Sequence, residues 1–382
     1  MRALTSHSDS PDTASAAAEI LEKAMEQLAG DQPVCGFLFA STDYEHAQLL
    51  EALTSCWPDM PLVGGSTDGE MSCDGYFADS VVLTLLAGDG LQARVGLGRE
   101  LSKDLEAAVA DALEPCSQAP RLCWTVFAPS SNASAVVRGL QKGVGASVPI
   151  VGGLSGDHRQ FSHMVQFCGS EVLTDALPVV YLDGDFEVGV GVGSGWFPIG
   201  PALQVTRSDN EWLHEIDGRP ALEFYEGILG QVPAPHTLAD LPLALFPDGP
   251  DGAFHLRAVF EANMESGSLR LVGEVREGEY VRLTEVLADG LLQGSRDSVQ
   301  KALASYPGSR PELAFVFSCA ARKWILGTQA DGEVDLLREE LEQGGAQPSI
   351  AGGYWFGEIA PAGQDPNSHF HNESCVTVLL GH

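Results

Sequence analysis

Three stretches decide how this chain is read: Val63-Gly64-Gly65-Ser66-Thr67-Asp68-Gly69-Glu70, Val151-Gly152-Gly153-Leu154-Ser155-Gly156-Asp157 and Ala351-Gly352-Gly353-Tyr354-Trp355-Phe356-Gly357-Glu358. Each joins two glycines, which give up side-chain packing, to an apolar lead and a polar or acidic exit. Each lead follows a proline: Pro61, Pro149 and Pro348. Taken alone, a Gly-Gly pair reads either as a turn needing positive φ or as a place where backbone N–H groups approach a ligand.

The surroundings of the three pairs also match. Upstream lie Val34-Cys35-Gly36-Phe37-Leu38-Phe39, Leu122-Cys123-Trp124-Thr125-Val126-Phe127-Ala128 and Leu313-Ala314-Phe315-Val316-Phe317-Ser318. Continuous apolar runs of this length suit strands buried on both faces. A helix is predicted after each run, over residues 44–56 with Ser41-Thr42-Asp43 as cap, to residue 142 with Ser130-Ser131-Asn132 as cap, and over 334–342. A further apolar strand follows each Gly-Gly, at 80–86, 177–182 and 375–380. Val34 to Val63 and Leu122 to Val151 are each 29 residues apart, while Leu313 to Ala351 are 38 apart.

Three recurrences of strand, polar loop, helix, Pro-led strand, Gly-Gly, loop and strand predict an α/β fold. Its duplicated strand-helix-strand modules form mixed sheets covered by helices, in two domains. Residues 14–29 read as an N-terminal helix, with Ile20, Leu21, Met25 and Leu28 on one stripe. The division expected is an N-terminal helix (1–29), a first module (30–200) and a second module (201–382). Glycines 189, 191, 193 and 195 alternate along a predicted strand and would admit a close neighbour. No helix opens after them, so they are no dinucleotide fingerprint. Asp217-Gly218-Arg219-Pro220 predicts a turn and a helix to residue 229, and strands are predicted at 255–261 and 269–275.

Composition bounds the partners. The chain has 382 residues, 44% of them hydrophobic, with 21 Lys and Arg against 53 Asp and Glu, a formal net charge of −32. That field repels phosphate backbones and anionic lipid surfaces, which argues against nucleic acid and membrane partners. The N-terminus turns polar at once (Ser6, Ser8, Asp9), and no run is long and apolar enough to span a bilayer. The eight cysteines form no C-x-x-C pair and mostly sit in apolar runs. They read as reduced thiols of a cytoplasmic protein rather than as a disulfide frame or a zinc site.

"GGSTDGE…DSVVLTLL" in the first half resembles the N-terminal module of FIST domain proteins. "VTRSDNEWLHEIDGRPALEFYEGILG", "FVFSCAARKWILG", "AGGYWFGEIAP" and "FHNES" resemble the C-terminal module. The motifs come in the family's order and cover residues 30–382. The family's last motif usually ends in a polar residue and Thr, where this chain has Glu373-Ser374. The resemblance implies a bacterial-type cytoplasmic sensory domain that binds small ligands such as amino acids. It also implies an alternative, since some members bind haem, sense nitric oxide and regulate a histidine kinase or a cyclic-di-GMP enzyme. No output domain is expected after His382, so signalling would pass through a separate protein.

In open α/β sheets, ligands bind beyond the carboxyl ends of the strands. That rule gathers Cys319, Arg322, Gly352, Gly353, Trp355, Glu358, His371 and Asn372 as candidate ligand-binding residues. Arg322 is read either as a bidentate partner for a ligand carboxylate or as the rim partner of Glu358. With Glu358 taking the ammonium, the pair would hold an amino acid. Of Tyr354, Trp355 and Phe356, at most two can share a face on a strand. The motif Phe370-His371-Asn372 makes His371 a candidate for the site and the first candidate for a haem axial ligand, with Cys319 second. His158 and His163 read as surface residues. Cys319, His371 and Glu358 could also be drawn as nucleophile, base and orienting acid of a thiol hydrolase. No G-x-S-x-G, H-E-x-x-H or P-loop pattern supports an enzyme.

Overall fold

The computed structural model describes residues 1–129, 132–233, 235–363 and 365–382. Its first unit runs β1 (Arg2–Ser8), α1 (Thr13–Leu28), β2 (Pro33–Ala40), α2 (His46–Cys56), β3 (Leu62–Ser66), the hairpin β4 (Glu70–Ser72) and β5 (Gly75–Phe77), then β6 (Val81–Ala87). The second repeats it: β7 (Gln92–Arg99), α3 (Leu105–Leu113), β8 (Leu122–Phe127), α4 (Ala133–Val144), β9 (Ile150–Leu154), β10 (Gln166–Cys168), β11 (Glu171–Leu173) and β12 (Ala176–Asp183).

The third unit opens with β13 (Glu187–Gly193) and is then interrupted. The insert comprises β14 (Phe197–Asp209), β15 (Trp212–Ile216), β16 (Arg219–Pro220), α5 (Ala221–Leu229), α6 (Pro235–Leu238), β17 (Leu243–Phe246), β18 (His255–Arg257), β19 (Val259–Asn263), β20 (Ser268–Leu271) and β21 (Tyr280–Glu285). The unit resumes with α7 (Ala288–Ser305), β22 (Pro311–Cys319), α8 (Ala320–Leu326), α9 (Ala330–Gln343), β23 (Ser349–Trp355), β24 (Glu358–Pro361), β25 (Ser368–His371) and β26 (Cys375–Gly381). Residue 200, where the repeats suggested dividing the chain, lies inside β14.

The sheets show why the Gly-Gly pairs recur. Their orders are β1-β6-β2-β3-β10-β11, β7-β12-β8-β9-β24-β25 and β13-β26-β22-β23-β4-β5. Each unit therefore lends its hairpin to the sheet of another: the first to the third, the second to the first, the third to the second. The exchange closes a ring of three sheets. The parallel strands β2, β8 and β22 line its centre, where Phe37 lies 5.0 Å from both Trp124 and Phe315 between ring centroids. Phe37, Trp124 and Phe315 are equivalent in the three units and fully buried. Each contributes ~1.5–3 kcal/mol of transfer free energy.

The glycines lie within strands and not in turns, which corrects the turn reading. A Cβ on Gly64, Gly152 or Gly352 would stand 1.8, 1.8 or 2.0 Å from the carbonyl oxygen of Leu38, Thr125 or Val316 on the neighbouring parallel strand. The second glycine of each pair makes room for the loop of another unit. Cβ atoms there would meet Ser155 beside Gly65, Trp355 beside Gly153 and Thr67 beside Gly353.

Other local expectations divide. The alternating glycines 189–195 do admit a neighbour, since a Cβ on Gly191 would lie 1.9 Å from the Ser298 carbonyl of α7. Asn132 caps α4, its side chain accepting from the Ala135 N–H, while Ser130 and Ser131 lie outside the described residues. Helix α2 begins at His46 with no side-chain cap, because Ser41 Oγ instead accepts from the Asp43 N–H. The N-terminus is a strand, β1, before the expected helix. Its buried Ser6 and Ser8 are satisfied by the Ile20 carbonyl and the Glu19 carboxylate.

Candidate functional site

The end of β22 feeds directly into α8, and consecutive residues there take opposite roles. Arg322 is fully buried. Its Nη2 donates to Glu333 Oε1 at 2.8 Å, Ser295 Oγ at 2.5 Å and the Leu291 carbonyl at 2.8 Å. Its Nε donates to Ser318 Oγ at 3.0 Å, and Nη1 to the Ser194 carbonyl. Glu333 also accepts the Tyr354 hydroxyl at 2.5 Å. Burial would push Glu333 upward, but Arg322 and the hydrogen bonds hold its carboxyl below the ordinary range. The expected Arg322–Glu358 pair is thus corrected. Arg322 faces the helical layer of α7 and α9, and its guanidinium is filled by the protein.

Glu358 has a different duty. It begins the exchanged hairpin opposite Gly153, and its Oε2 accepts the Ser374 N–H at 3.1 Å and hydroxyl at 2.6 Å. Glu70 stands in the equivalent place opposite Gly353 and accepts from Ser80 in the same way. Gln166, opposite Gly65, holds the Ala176 N–H. These three residues seal each hairpin against its own returning strand. Burial drives Glu358 well above the ordinary carboxylate range, and Glu373 beside it adds to this. Oε1 of Glu358 and Oε2 of Glu373 are buried without a partner.

Cys319 is buried, and burial together with Glu358 and Glu373 raises its thiol well above the usual value. That is the opposite of an activated nucleophile. Trp355 fills the centre of the ring, 5.3 Å from Phe39 and 5.5 Å from Phe317 between centroids, so it is core rather than pocket wall. Among the three aromatics it is Phe356, half-buried, that turns to the open side. Asn372 is structural: Oδ1 accepts the Ala258 N–H at 3.2 Å and Nδ2 donates to the His371 carbonyl at 3.1 Å.

His371 does not fit a haem ligand. His371 donates from Nε2 to the Ala360 carbonyl at 3.0 Å, which leaves only Nδ1 free, and the ring sits among His255, Arg257 and His369 rather than against an apolar slot for a macrocycle. Among the described residues, no group of three or more His, Cys, Asp or Glu is arranged to hold a metal ion.

The polar groups that do converge lie one residue beyond Arg322. Lys323 is half-buried and its Nζ donates to the main-chain oxygen of Asp68. Asp68 is fully buried, its Oδ1 accepts the His158 N–H at 2.6 Å, and its Oδ2 has no partner. His158 Nε2 lies 3.4 Å from Ser41 Oγ and 3.6 Å from Asp79 Oδ1. Burial pushes Asp68 up and Lys323 down, and the attraction of each for opposite charge partly offsets this.

A loop from the second unit covers this place. His158, Arg159 and Phe161 all have left-handed backbone, with φ of 55°, 63° and 51°. Such conformations cost free energy in non-glycine residues and concentrate at functional sites. Asp157 holds the loop, its carboxylate accepting the N–H groups of Phe161, Ser162 and His163 at 2.7–2.9 Å. Arg159 lies 3.3 Å over the Trp324 ring and bonds Asp240 of the insert at 2.8 Å. Phe161 packs against Phe356 with ring centroids 4.9 Å apart and meets Phe260 of the insert edge-on at 5.7 Å. First unit, second unit, third unit and insert all meet here.

The sequence reading missed this cluster. Asp68 stood in a quoted motif, Lys323 follows Arg322, and His158 was read as surface. The signal was the exchange of loops, which brings Asp68 and His158 together across 90 residues.

The frame is a ring of interlocked α/β units carrying an inserted antiparallel sheet and a polar, aromatic-walled cluster at the strand ends. The FIST N domain profile matches residues 34–219 and the FIST C domain profile residues 221–361, and the chain belongs to the FIST family, a family of sensory domains in signal transduction. An uncharacterised protein of Methanocaldococcus jannaschii, MJ1623, is 22% identical over 201 residues, 48% of this chain and 38% of that protein. The chain thus spans well under half of that relative's length. Among solved structures, cyanuric acid hydrolase from A. caulinodans aligns over 98% of both chains at 9% identity and a TM-score of 0.34. PurLQS from Thermotoga maritima aligns over 99% of this chain and 72% of that one at 12% identity and a TM-score of 0.26. Likenesses this low support no statement about activity. Among the described residues, no helix is long and apolar enough to cross a membrane.

Proposed function

We propose that the protein is a sensory component that binds an amino-acid-like metabolite at the Asp68, His158 and Lys323 cluster. Asp68 would take the ammonium and Lys323 the carboxylate. The observation that carries the reading is Asp68 Oδ2, buried and unpartnered near a half-buried lysine. A buried carboxyl oxygen without a donor is costly, and an ammonium group would satisfy it. Trp324, Phe356 and Phe161 offer apolar wall beside it, and the meeting of several units is where small ligands prefer to sit. Family membership supports sensing rather than catalysis, and the raised Cys319 thiol weighs against a thiol hydrolase.

The signal would pass to a separate output protein, for which a histidine kinase or a cyclic-di-GMP enzyme is the class the family resemblance supports. A cytoplasmic setting agrees with eight unpaired cysteines.

The test is a thermal-shift and calorimetric screen of amino acids, with the matching amines and carboxylic acids as controls. Amino acids should stabilise the protein more than either half-molecule. Asp68→Asn and Lys323→Gln should each remove the response while circular dichroism stays native. No response to any compound of the three classes, or an unchanged response in Asp68→Asn, overturns the reading.

A further inference from the structure

A second polar cluster lies elsewhere, where β18 of the insert meets β25 of the third unit. It is basic, in a chain whose formal net charge is −32. Arg257 is only 6% exposed. Its Nε donates to the Glu274 carbonyl at 3.1 Å, and Nη1 to the carbonyls of Leu256 at 2.9 Å and Phe370 at 3.3 Å. Those acceptors are neutral. Unlike Arg322, Arg257 makes no ion pair within 4.0 Å among the described residues, and no hydrogen bond from Nη2 is found there. A buried guanidinium without a contacting carboxylate is unusual, since buried charges are normally paired.

The neighbours are basic as well. His255 and Arg257 are two apart on β18 and share a face, as His369 and His371 do on β25. The two histidines of β25 lie 6.5 Å apart between ring centroids. His371 spends Nε2 on the Ala360 carbonyl, which leaves Nδ1 to take a proton. Arg276 and His369 are exposed at the rim, so solvent reaches the cluster. The nearby carboxylates are engaged elsewhere: Glu274 with Arg138, Glu211 with Arg270, Asp365 with His369, and Glu279 with the Arg276 N–H.

We propose that this face is an oxyanion site, with Arg257 at its base, His255 and His371 beside it and Arg276 at its rim, taking a phosphate-type anion. Planar guanidinium donors match such oxygens, and the bound charge would contact a buried arginine that has no carboxylate within 4.0 Å among the described residues. The site is independent of the amino-acid cluster. Because it joins the insert to the third unit, its occupant would also fasten these two parts together.

Protonation follows from the geometry. Burial first, then the nearby cationic groups, push His371 down to about 4 and His255 well below its usual value. Both are neutral without an anion at neutral pH, and a bound dianion would draw protons onto them. Binding should therefore tighten as pH falls, because the complex holds more protons than the free protein.

The test is isothermal titration calorimetry on the full chain in 0.15 M chloride, with sulfate, inorganic phosphate and glycerol 2-phosphate as probes at pH 8 and pH 6. One saturable site is expected, with sulfate, a dianion at both pH values, binding at least ~3-fold tighter at pH 6. A preference for glycerol 2-phosphate over inorganic phosphate would mark an organic phosphate ligand, and the reverse a free ion. His255→Gln should lessen the pH dependence and weaken binding at pH 6, and Arg257→Lys should weaken binding at least ~10-fold. His255→Gln, at a half-buried position, guards against an unfolded Arg257 variant. No saturable binding by any probe, or binding unchanged in His255→Gln at pH 6, overturns the proposal.

Discussion

Replacing Glu333 with Gln separates a structural arginine from a ligand-binding one. The substitution keeps the shape of the side chain and removes its charge. Arg322 would then remain fully buried with hydrogen bonds to Ser318, Ser295 and two carbonyls but no counter-ion. Stranding one member of a buried pair costs ~3–5 kcal/mol, because the remaining charge has lost both water and partner. Urea unfolding at pH 7, followed by tryptophan fluorescence, should show the midpoint falling with an unchanged slope. The pH dependence gives an independent check. Glu333 has its folded value held below the ordinary 4.5, so its contribution is present above about pH 4.5 and is lost as pH falls through the lower folded value. Wild type should lose stability on acidification more steeply than Glu333→Gln. The double variant Glu333→Gln, Arg322→Met should recover part of the loss, since no charge stays buried. A loss below ~1 kcal/mol in Glu333→Gln would refute the reasoning and return Arg322 to the ligand.

Other expectations follow from single groups. Glu70 is pushed up to about 8, chiefly by burial, so the folded state favours its neutral form and stability should decline as pH rises from 4.5 towards 8; Glu70→Gln should flatten that slope in urea midpoints. Gly152→Ala sets a Cβ 1.8 Å from the Thr125 carbonyl and should abolish soluble folded protein, whereas Gly332→Ala, with nothing within 4 Å on an exposed turn of α9, should raise stability by ~0.5–1 kcal/mol. Cys319 should resist iodoacetamide in the native state while exposed Cys56 reacts, as read by peptide mass mapping. Rapid native labelling of Cys319 would reopen thiol chemistry.

The α/β class and the triple repeat were legible because strand burial is written as local runs such as Phe37-Leu38-Phe39, and glycine pairs mark close backbone approach at any distance. The exchanged hairpins were not legible. Glu70-Met71-Ser72 and Gln166-Phe167-Cys168 are three-residue strands that earn their pairing only from another unit, and no local pattern names that unit. Strand β1 was missed for a related reason: Ser6 and Ser8 look exposed until α1 supplies their acceptors.

The same exchange explains why the Asp68, His158 and Lys323 cluster could not be read from the sequence. The sequence points to Arg322 because it is one of only 21 basic residues in an acidic chain and lies just past a buried strand. Helical geometry turns consecutive residues by about 100°, so Arg322 and Lys323 cannot face the same environment. Which of them meets the helical layer and which meets the exchanged loop depends on Glu333 and Asp68, 11 residues downstream and 255 upstream. Where three units share one structural plan, the informative positions are those at which one copy departs from it. Trp355 replaces the small hydroxyl residues Thr67 and Ser155 and plugs the centre of the ring. That plug leaves the strand ends around Asp68, roofed by the second unit's strained loop, as the meeting place of several units, where the ligand proposed above would be held.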